Sequence, residues 1–283
     1  MACMACGRET SPARTWKVPS DTENREYFVD FCPCGLGSTR SDRIENDAIR
    51  ANHAMYDNVE ARIVVYFHQM RGHLNARFLD TLRILREFGN GGTRYLEVGS
   101  NIGFATSIAR RGGFDVHACE LNDSCREASR AIFGFPVDRD FLEMDGVFDF
   151  IVMCDVLEHF PDPLAALEHA FRLLASGGIL FVQLPNHEGV QARKAGLHWK
   201  FLCVPDHTFH FTRDSLSSLA ARVGFEPVWS RTVGFIDEKP LWNILPGPIR
   251  RTILRHLNAF EPIGFVPEKG TRGTLLQMVL RKG

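Results

Sequence analysis

The sequence predicts an α/β protein: a doubly wound, mainly parallel, seven-stranded sheet preceded by a cysteine-rich module. Three observations carry this expectation. Strand-like and helix-like segments alternate between Tyr95 and Leu184, glycine turns at Gly99 and Gly177 punctuate them, and Cys3, Cys6, Cys32 and Cys34 crowd into the opening stretch. At 283 residues and 45% hydrophobic content the chain can bury one large core and a small satellite.

Taken in order, residues 1–41 lack a sustained apolar period and contain Pro12, Pro19 and Pro33, so they read as a separate module. Residues 42–92 read as a helical lead into the core. Ile63, Val64, Phe67, Met70, Leu74, Phe78, Leu82 and Leu85 recur at threes and fours, and Asn90-Gly91-Gly92 stops the helix. The main domain, 93–283, then alternates. Tyr95 to Val98 is a predicted strand, Phe104 to Arg111 a helix, Phe114 to Cys119 a strand and Ser124 to Phe133 a helix. Phe148 to Cys154 is the next strand, Pro163 to Ala175 a helix and Ile179 to Leu184 a strand. Ser215 to Val223 reads as a helix ended by Gly224, with strands at Glu226 to Ser230 and Thr274 to Leu280. Near 232–272, Pro240, Pro246 and Pro248 surround a basic helix from Ile249 to Leu257, which marks an insertion.

Charge and hydropathy exclude several classes. With 33 basic and 34 acidic side chains the formal net charge is −1, so no broad positive field exists to hold a phosphate backbone, and general nucleic-acid binding is disfavoured. No apolar run approaches the ~20 residues of a membrane span, and the opening residues carry no signal-peptide core. A cytoplasmic protein is the expectation. Its cysteines are then thiols or metal ligands, and Cys119, Cys125, Cys154 and Cys203, which stand in apolar segments, read as ordinary buried cysteines.

Chemistry concentrates where strands end. Glu97-Val98-Gly99-Ser100-Asn101-Ile102-Gly103-Phe104 is a tight turn feeding a helix, in which Gly99 permits unusual dihedrals and Gly103 a close approach of backbone to ligand. The G-x-G-x-x-G spacing that cradles a dinucleotide pyrophosphate is absent. Glu97 repels phosphate and suits a ligand with an amino group and a sulfonium. Glu120 stands at the end of the next strand, where a carboxylate commonly holds ribose hydroxyls. Turn and acid together point to an adenosyl ligand.

These residues resemble the motifs of class I S-adenosylmethionine-dependent methyltransferases, which have a Rossmann-like fold. The likeness runs from about Tyr95 to Phe225. Phe148-Asp149-Phe150-Ile151-Val152-Met153-Cys154-Asp155-Val156-Leu157-Glu158-His159 looks like the family's FDxIxxxDVLEH segment, and Leu173-Leu174-Ala175-Ser176-Gly177-Gly178 is similar to its L-x-P-G-G turn. The resemblance implies that Glu97, Gly99, Ser100 and Gly103 line the methionine side of the cofactor, with Asn101, Phe104 and Leu121 in the same binding set. It implies that Glu120 binds ribose, that Asp140 and Phe141 flank adenine, and that Asp155 and Val156 close the pocket. Glu158 and His159 also suit a bare helix-capping role, and Phe141 a core one.

A narrower resemblance rests on the G-S-N-x-G turn, the leading cysteines and Pro205-Asp206-His207-Thr208-Phe209-His210-Phe211-Thr212, which look like zinc-containing sugar methyltransferases. It implies that Asp206 and His207 serve the substrate side. Val204 stands where the C-methylating members carry tyrosine, and those members have an additional C-terminal domain, so O- and C-methylation both stay open.

The sulfonium is already activated, so the protein must mostly place an acceptor in line and exclude water. A hydroxyl or carbon acid must also lose a proton, work for a histidine poised near neutrality. His159, His198, His207 and His210 are candidates, and His207 beside Asp206 is the expected base, with Trp199, Phe201 and Phe209 available to wall the acceptor. Cys3, Cys6, Cys32 and Cys34 could give four thiolates to one structural zinc, although the second pair has one intervening residue rather than two. The expected partner is a small-molecule acceptor, a sugar or nucleotide-linked sugar, and self-association into a homo-oligomer is left open. Three rivals stand beside this reading: a non-catalytic zinc-containing scaffold that keeps the fold, a zinc-dependent nucleic-acid module and a nicotinamide oxidoreductase. The nucleic-acid module leaves the turn, Glu120 and the DVLEH segment without purpose, and titration with both cofactors separates the oxidoreductase.

Overall fold

Strand residues whose neighbours are apolar on both faces must be covered on both faces, and this decides the layers. The computed structural model describes residues 2–9, 11–19, 26–40, 71–235, 265–268 and 272–283. The predicted helical signal before residue 71 and the basic helix at 249–257 lie outside the described residues.

The chain opens with three short antiparallel strands, β1 (Arg14–Pro19), β2 (Glu26–Phe31) and β3 (Gly37–Arg40). Helix α1 (Arg71–Phe88) leads into β4 (Arg94–Val98), α2 (Phe104–Arg111), β5 (Asp115–Cys119) and α3 (Asp123–Phe133). There follow β6 (Phe148–Cys154), α4 (Pro163–Leu173), β7 (Leu174–Pro185), α5 (Val190–Ala195), the two-residue β8 (Phe209–His210) and α6 (Arg213–Val223). Strands β9 (Phe225–Phe235), β10 (Phe265–Glu268) and β11 (Leu275–Lys282) complete the order.

The large sheet has the order β10-β9-β11-β7-β6-β4-β5. β5, β4, β6 and β7 are parallel neighbours, whereas β11 is antiparallel to both β7 and β9. β9 therefore runs with β7, and the sheet is mixed but mostly parallel. Period-two alternation feeds both faces. Tyr95, Phe150, Val152, Ile179 and Phe181 pack with Leu82, Leu85, Phe104 and Ile108 of α1 and α2. Their sequence neighbours Leu96, Ile151, Met153, Leu180 and Val182 pack with Leu167, Ala170, Leu216 and Leu219 of α4 and α6. The doubly wound expectation follows directly from that alternation.

Boundaries moved for local reasons. Helix α4 stops at Leu173, two residues before the expected Ala175, because Leu174 already pairs with Phe148 in the sheet. Helix α6 starts at Arg213 because Thr212 caps it: the Thr212 side chain accepts from the Ser215 amide and the Ser215 hydroxyl accepts from the Thr212 amide. Strand β9 runs on to Phe235 and pairs with β10, so the seventh strand comes from within the predicted 232–272 insertion. At the other edge Asp138 makes only an isolated parallel bridge to Cys119.

The opening module is not free-standing. Strand β3 pairs with β8, placing Gly37 opposite His210 and Ser38 opposite Phe209, so four strands from two distant parts of the chain form one small sheet. Val18, Tyr27, Val29 and Phe31 pack against Ala192, Trp199, Leu202 and Val204 beneath it. Ala5 and Leu36 join the main core.

Candidate active site

The turn after β4 is built for close approach. Gly99 (φ +69°) and Gly103 (φ +79°) adopt left-handed backbone, and a Cβ would lie 2.5 Å from Val156 Cγ2 at the first and 2.2 Å from Ser129 Oγ at the second. Glu97 is buried at the end of β4, accepts a hydrogen bond from the Thr106 hydroxyl, and is pushed up to about 7 by burial against the opposing pull of Thr106 and Arg77. The buried Ser100 hydroxyl has no hydrogen-bond partner. Glu120 accepts from the Asn101 amide and from the Asn122 amide, each at 2.9 Å, which fixes its carboxylate beside the turn with further lone pairs to spare. The Glu120 amide donates to the Asp138 carbonyl, so the loop bearing Asp140 lies alongside.

Asp155 ends β6 in left-handed backbone (φ +58°). Its carboxylate takes a 2.5 Å ion pair from Arg77 of α1 and a 3.1 Å bond from Gln183 of β7. Gln277 of β11 bonds Gln183 at 2.8 Å and Arg231 of β9 bonds Gln277 at 2.7 Å, a polar thread running from the end of β6 across β7 and β11 to β9.

Beyond Asp155 two loops meet. Thr208 binds the Glu158 carbonyl through its amide and its hydroxyl, both at 2.9 Å, which locks the 158–160 turn to the 206–208 segment. There Asp206 pairs with His159, not with His207: His159 Nδ1 lies 2.9 Å from the Asp206 carbonyl and 3.3 Å from its carboxylate. Burial disfavours charge on His159, but Asp206 and Glu158 outweigh it and hold the ring at about 9. The His207 ring stands edge-on to His159 at 4.7 Å, and its Nδ1 is 2.8 Å from the Phe201 carbonyl. Burial and the neighbouring His159 lower it to about 4, so it is uncharged at neutral pH. Glu158 is 1% exposed, both its carboxylate oxygens are unpartnered among the described residues, and burial raises it.

The four leading cysteines converge as expected. Cys3 and Cys34 sulfurs are 3.6 Å apart, Cys6 and Cys32 3.7 Å, and all four lie within 4.8 Å of one another. Those separations are far too long for disulfides and match the ~3.8 Å edge of a tetrahedron with ~2.3 Å zinc–sulfur bonds. The irregular Cys32-Pro33-Cys34 pair is accommodated by Gly35 (φ +92°), whose amide donates to the Cys32 carbonyl.

Residues 66–230 match the model of the family described as methyltransferase domain. The chain belongs to that family. Ubiquinone biosynthesis O-methyltransferases of Psychrobacter cryohalolentis and Paramagnetospirillum magneticum are similar to it, 30% identical over 128 residues and 32% over 118. The matches cover 41% and 39% of this chain and 48% and 47% of those enzymes, so the chain spans about half the length of the curated relatives it matches. Among solved structures, a SAM-dependent methyltransferase of Thermotoga maritima superposes with a TM-score of 0.56 at 19% identity, covering 82% of this chain and 98% of that one. Magnesium protoporphyrin IX methyltransferase of Synechocystis, solved with S-adenosylhomocysteine, gives 0.55 at 11% identity over 84% of this chain and 100% of that one. Both share the fold.

The predicted cofactor residues Glu97, Gly99, Ser100, Asn101 and Gly103, with Glu120, Leu121, Asp155 and Val156, stand at or just after the carboxyl ends of β4, β5 and β6, and Asp140 and Phe141 on the stretch that follows α3. Phe104 opens α2 and packs beside Phe78, and Phe141, 3% exposed, meets Phe160 and His169 edge-on. His210 stands in the β3–β8 seam with its Nε2 3.3 Å from the Thr39 hydroxyl, and burial together with His187 and His207 lowers its affinity for a proton. His198 is exposed. Of the cysteines read as buried, Cys119 and Cys125 are, while Cys154 and Cys203 are half-buried because each stands at the end of its apolar segment. Sequence reasoning missed Arg77, Gln183 and Thr39, whose partners are distant in the chain, and Leu142, 46% exposed next to Asp140. Among the described residues no helix is long and apolar enough to cross a membrane.

Proposed function

We propose that this methyltransferase transfers the methyl group of S-adenosylmethionine to a hydroxyl of a small, hydroxylated acceptor, a sugar or nucleotide-linked sugar. The observation that carries the reading is the meeting of the donor turn with the Glu158, His159, Asp206 and His207 cluster on one rim of the sheet.

The donor would supply a methyl group already activated on a sulfonium. Glu97 and Arg77 would face its amino-acid end, Glu120 would offer unused lone pairs to the ribose, and Asp140 with the exposed Leu121 and Leu142 would border the adenine. The glycine turn would let backbone approach it. Asp206 fixes the His159 ring, Phe201 fixes that of His207, and this cluster eases the acceptor proton away while the neighbouring loops hold the hydroxyl in line. The four cysteines would hold one structural zinc that shapes the module against the acceptor segment, leaving no open coordination position for catalysis.

Labelled S-adenosylmethionine with a panel of sugars, nucleotide sugars and catechols tests the reading, with products identified by mass spectrometry. His207→Ala should leave S-adenosylhomocysteine affinity within about threefold and lower turnover by ~10²- to 10⁴-fold. Near-normal turnover in a folded variant would remove His207 from the acceptor machinery. A phenolic acceptor is the second reading, favoured by the O-methyltransferase relatives, and methylated catechol with unmodified sugars would select it.

A further inference from the structure

Glu158 lies fully inside the protein with neither oxygen hydrogen-bonded among the described residues, an arrangement that costs free energy unless a cation or a proton neutralises it. The two nearest imidazoles are presented to it in a particular way. His159 has its Nδ1 on the Asp206 carbonyl and carboxylate, and His207 has its Nδ1 on the Phe201 carbonyl. Nδ1 of each ring is thereby committed to an oxygen, which leaves Nε2 to face a ligand, the His159 ring releasing its second proton when the ion binds. Among the described residues no donor reaches either Nε2. A ring nitrogen anchored on an oxygen with the other left open is how proteins orient metal-binding histidines. One ligand atom from each of Glu158, His159 and His207 lies within 4.8 Å of the others, short enough to converge on one ion with small side-chain rotations.

We propose that Glu158, His159 and His207 form a second metal site, separate from the cysteine cluster, that takes a divalent first-row transition ion. Two imidazoles and one carboxylate suit Mn²⁺, Co²⁺ or Zn²⁺ better than Mg²⁺, which demands an oxygen shell. Asp155 is not part of the set, because Arg77 and Gln183 already occupy its carboxylate. Three protein ligands leave coordination positions open. The role of the ion rests on the methyl-transfer reading: an acceptor oxygen at an open position is acidified, its O–H proton passes to solvent, the sulfonium S–C bond breaks, and the O–C bond forms with release of the thioether. The existence of the site does not rest on that reading.

Mn²⁺ is the probe, since four thiolates bind it poorly. The full chain, zinc-loaded and with neither donor nor acceptor, is titrated with Mn²⁺ and the free ion is followed by electron paramagnetic resonance. One Mn²⁺ per chain is expected. Glu158→Gln and His207→Gln, which sit on different loops, should each weaken it by ~10-fold or more while retaining S-adenosylhomocysteine affinity as proof of folding. Should either variant not fold, peptide mapping of the unaltered protein replaces it: Mn²⁺ should protect His159 and His207 from diethylpyrocarbonate. Absence of Mn²⁺ binding in the unaltered chain, unchanged binding in both folded variants, or unprotected histidines overturns the proposal. Binding without methylation of any acceptor would leave the site standing and sink the functional reading instead.

Discussion

Glu120 serves two tasks with one carboxylate. It organises the donor turn by accepting from the Asn101 and Asn122 amides, and it leaves lone pairs facing outward. Glu120→Ala should therefore weaken S-adenosylhomocysteine binding by one to two powers of ten, about 1.5 to 3 kcal/mol, in calorimetry. Glu120→Gln should also bind weakly, because its NH₂ group turns one acceptor into a donor facing an amide. Unchanged affinity in both would remove Glu120 from the site. Its position was legible because strand end and acid are adjacent in sequence. The partner of Asp206 was not: Asp206 precedes His207, yet neighbouring side chains diverge, and the carboxylate reaches His159 on another loop. Arg77 was illegible for the same reason, its role depending on a helix packing across the sheet onto Asp155.

Asp149 shows how an element is pinned. It accepts from the Thr93 and Arg94 amides and from the Arg94 guanidinium, tying the start of β6 to the start of β4. The Arg94 hydrogen bond outweighs the opposing effect of burial and holds the carboxyl below its ordinary range. A depressed carboxylate stabilises the fold above its unfolded pKa of ~4 and loses that contribution as pH falls through the folded value. Asp149→Asn should cost about 1 kcal/mol at pH 7, discounted because Arg94 is 44% exposed, and the gap between the two proteins in urea unfolding should close in acid. Central strands such as β6 were readable because every residue from Phe148 to Met153 is apolar or bonded within the sheet. Strand β8 was not, since two residues carry no period, and β10 falls in a proline-rich stretch that reads as loop. Thr39 holds β8 in place through the Thr208 carbonyl, the His207 carbonyl and His210. Thr39→Val should lower turnover several-fold and stability by about 1 kcal/mol while sparing donor affinity; lost donor affinity would mean the seam supports the whole rim.

At the scale of the molecule the cysteine cluster and the 206–212 segment are one mechanical unit. Cys32 and Cys34 lead directly into β3, β3 into β8, and β8 is flanked by His207 and Thr212. Chelating the metal should raise hydrogen exchange in residues 26–40 and 207–212 together while the β4–β5 end keeps its protection, and elemental analysis should find close to one zinc per chain before treatment. Exchange rising in the first stretch alone would separate the two. The sequence announced a module and a doubly wound domain, but not that they share a sheet, because that pairing is encoded in a few backbone groups rather than in any side-chain pattern.

The position of β11 sets the order of synthesis against the order of assembly. It is made after β7 and β9, yet it lies between them, bonded to both. While the ribosome is still translating the residues ahead of Leu275, β7 and β9 each expose an edge with nothing to pair, the kind of template that recruits other chains. Glu97, Glu120 and Asp155, by contrast, stand at the ends of strands already translated, so the proposed donor site is synthesised before its sheet is whole. Chains arrested just ahead of Leu275 should be retained by holdase chaperones, and chains arrested after Lys282 has cleared the exit tunnel should be released.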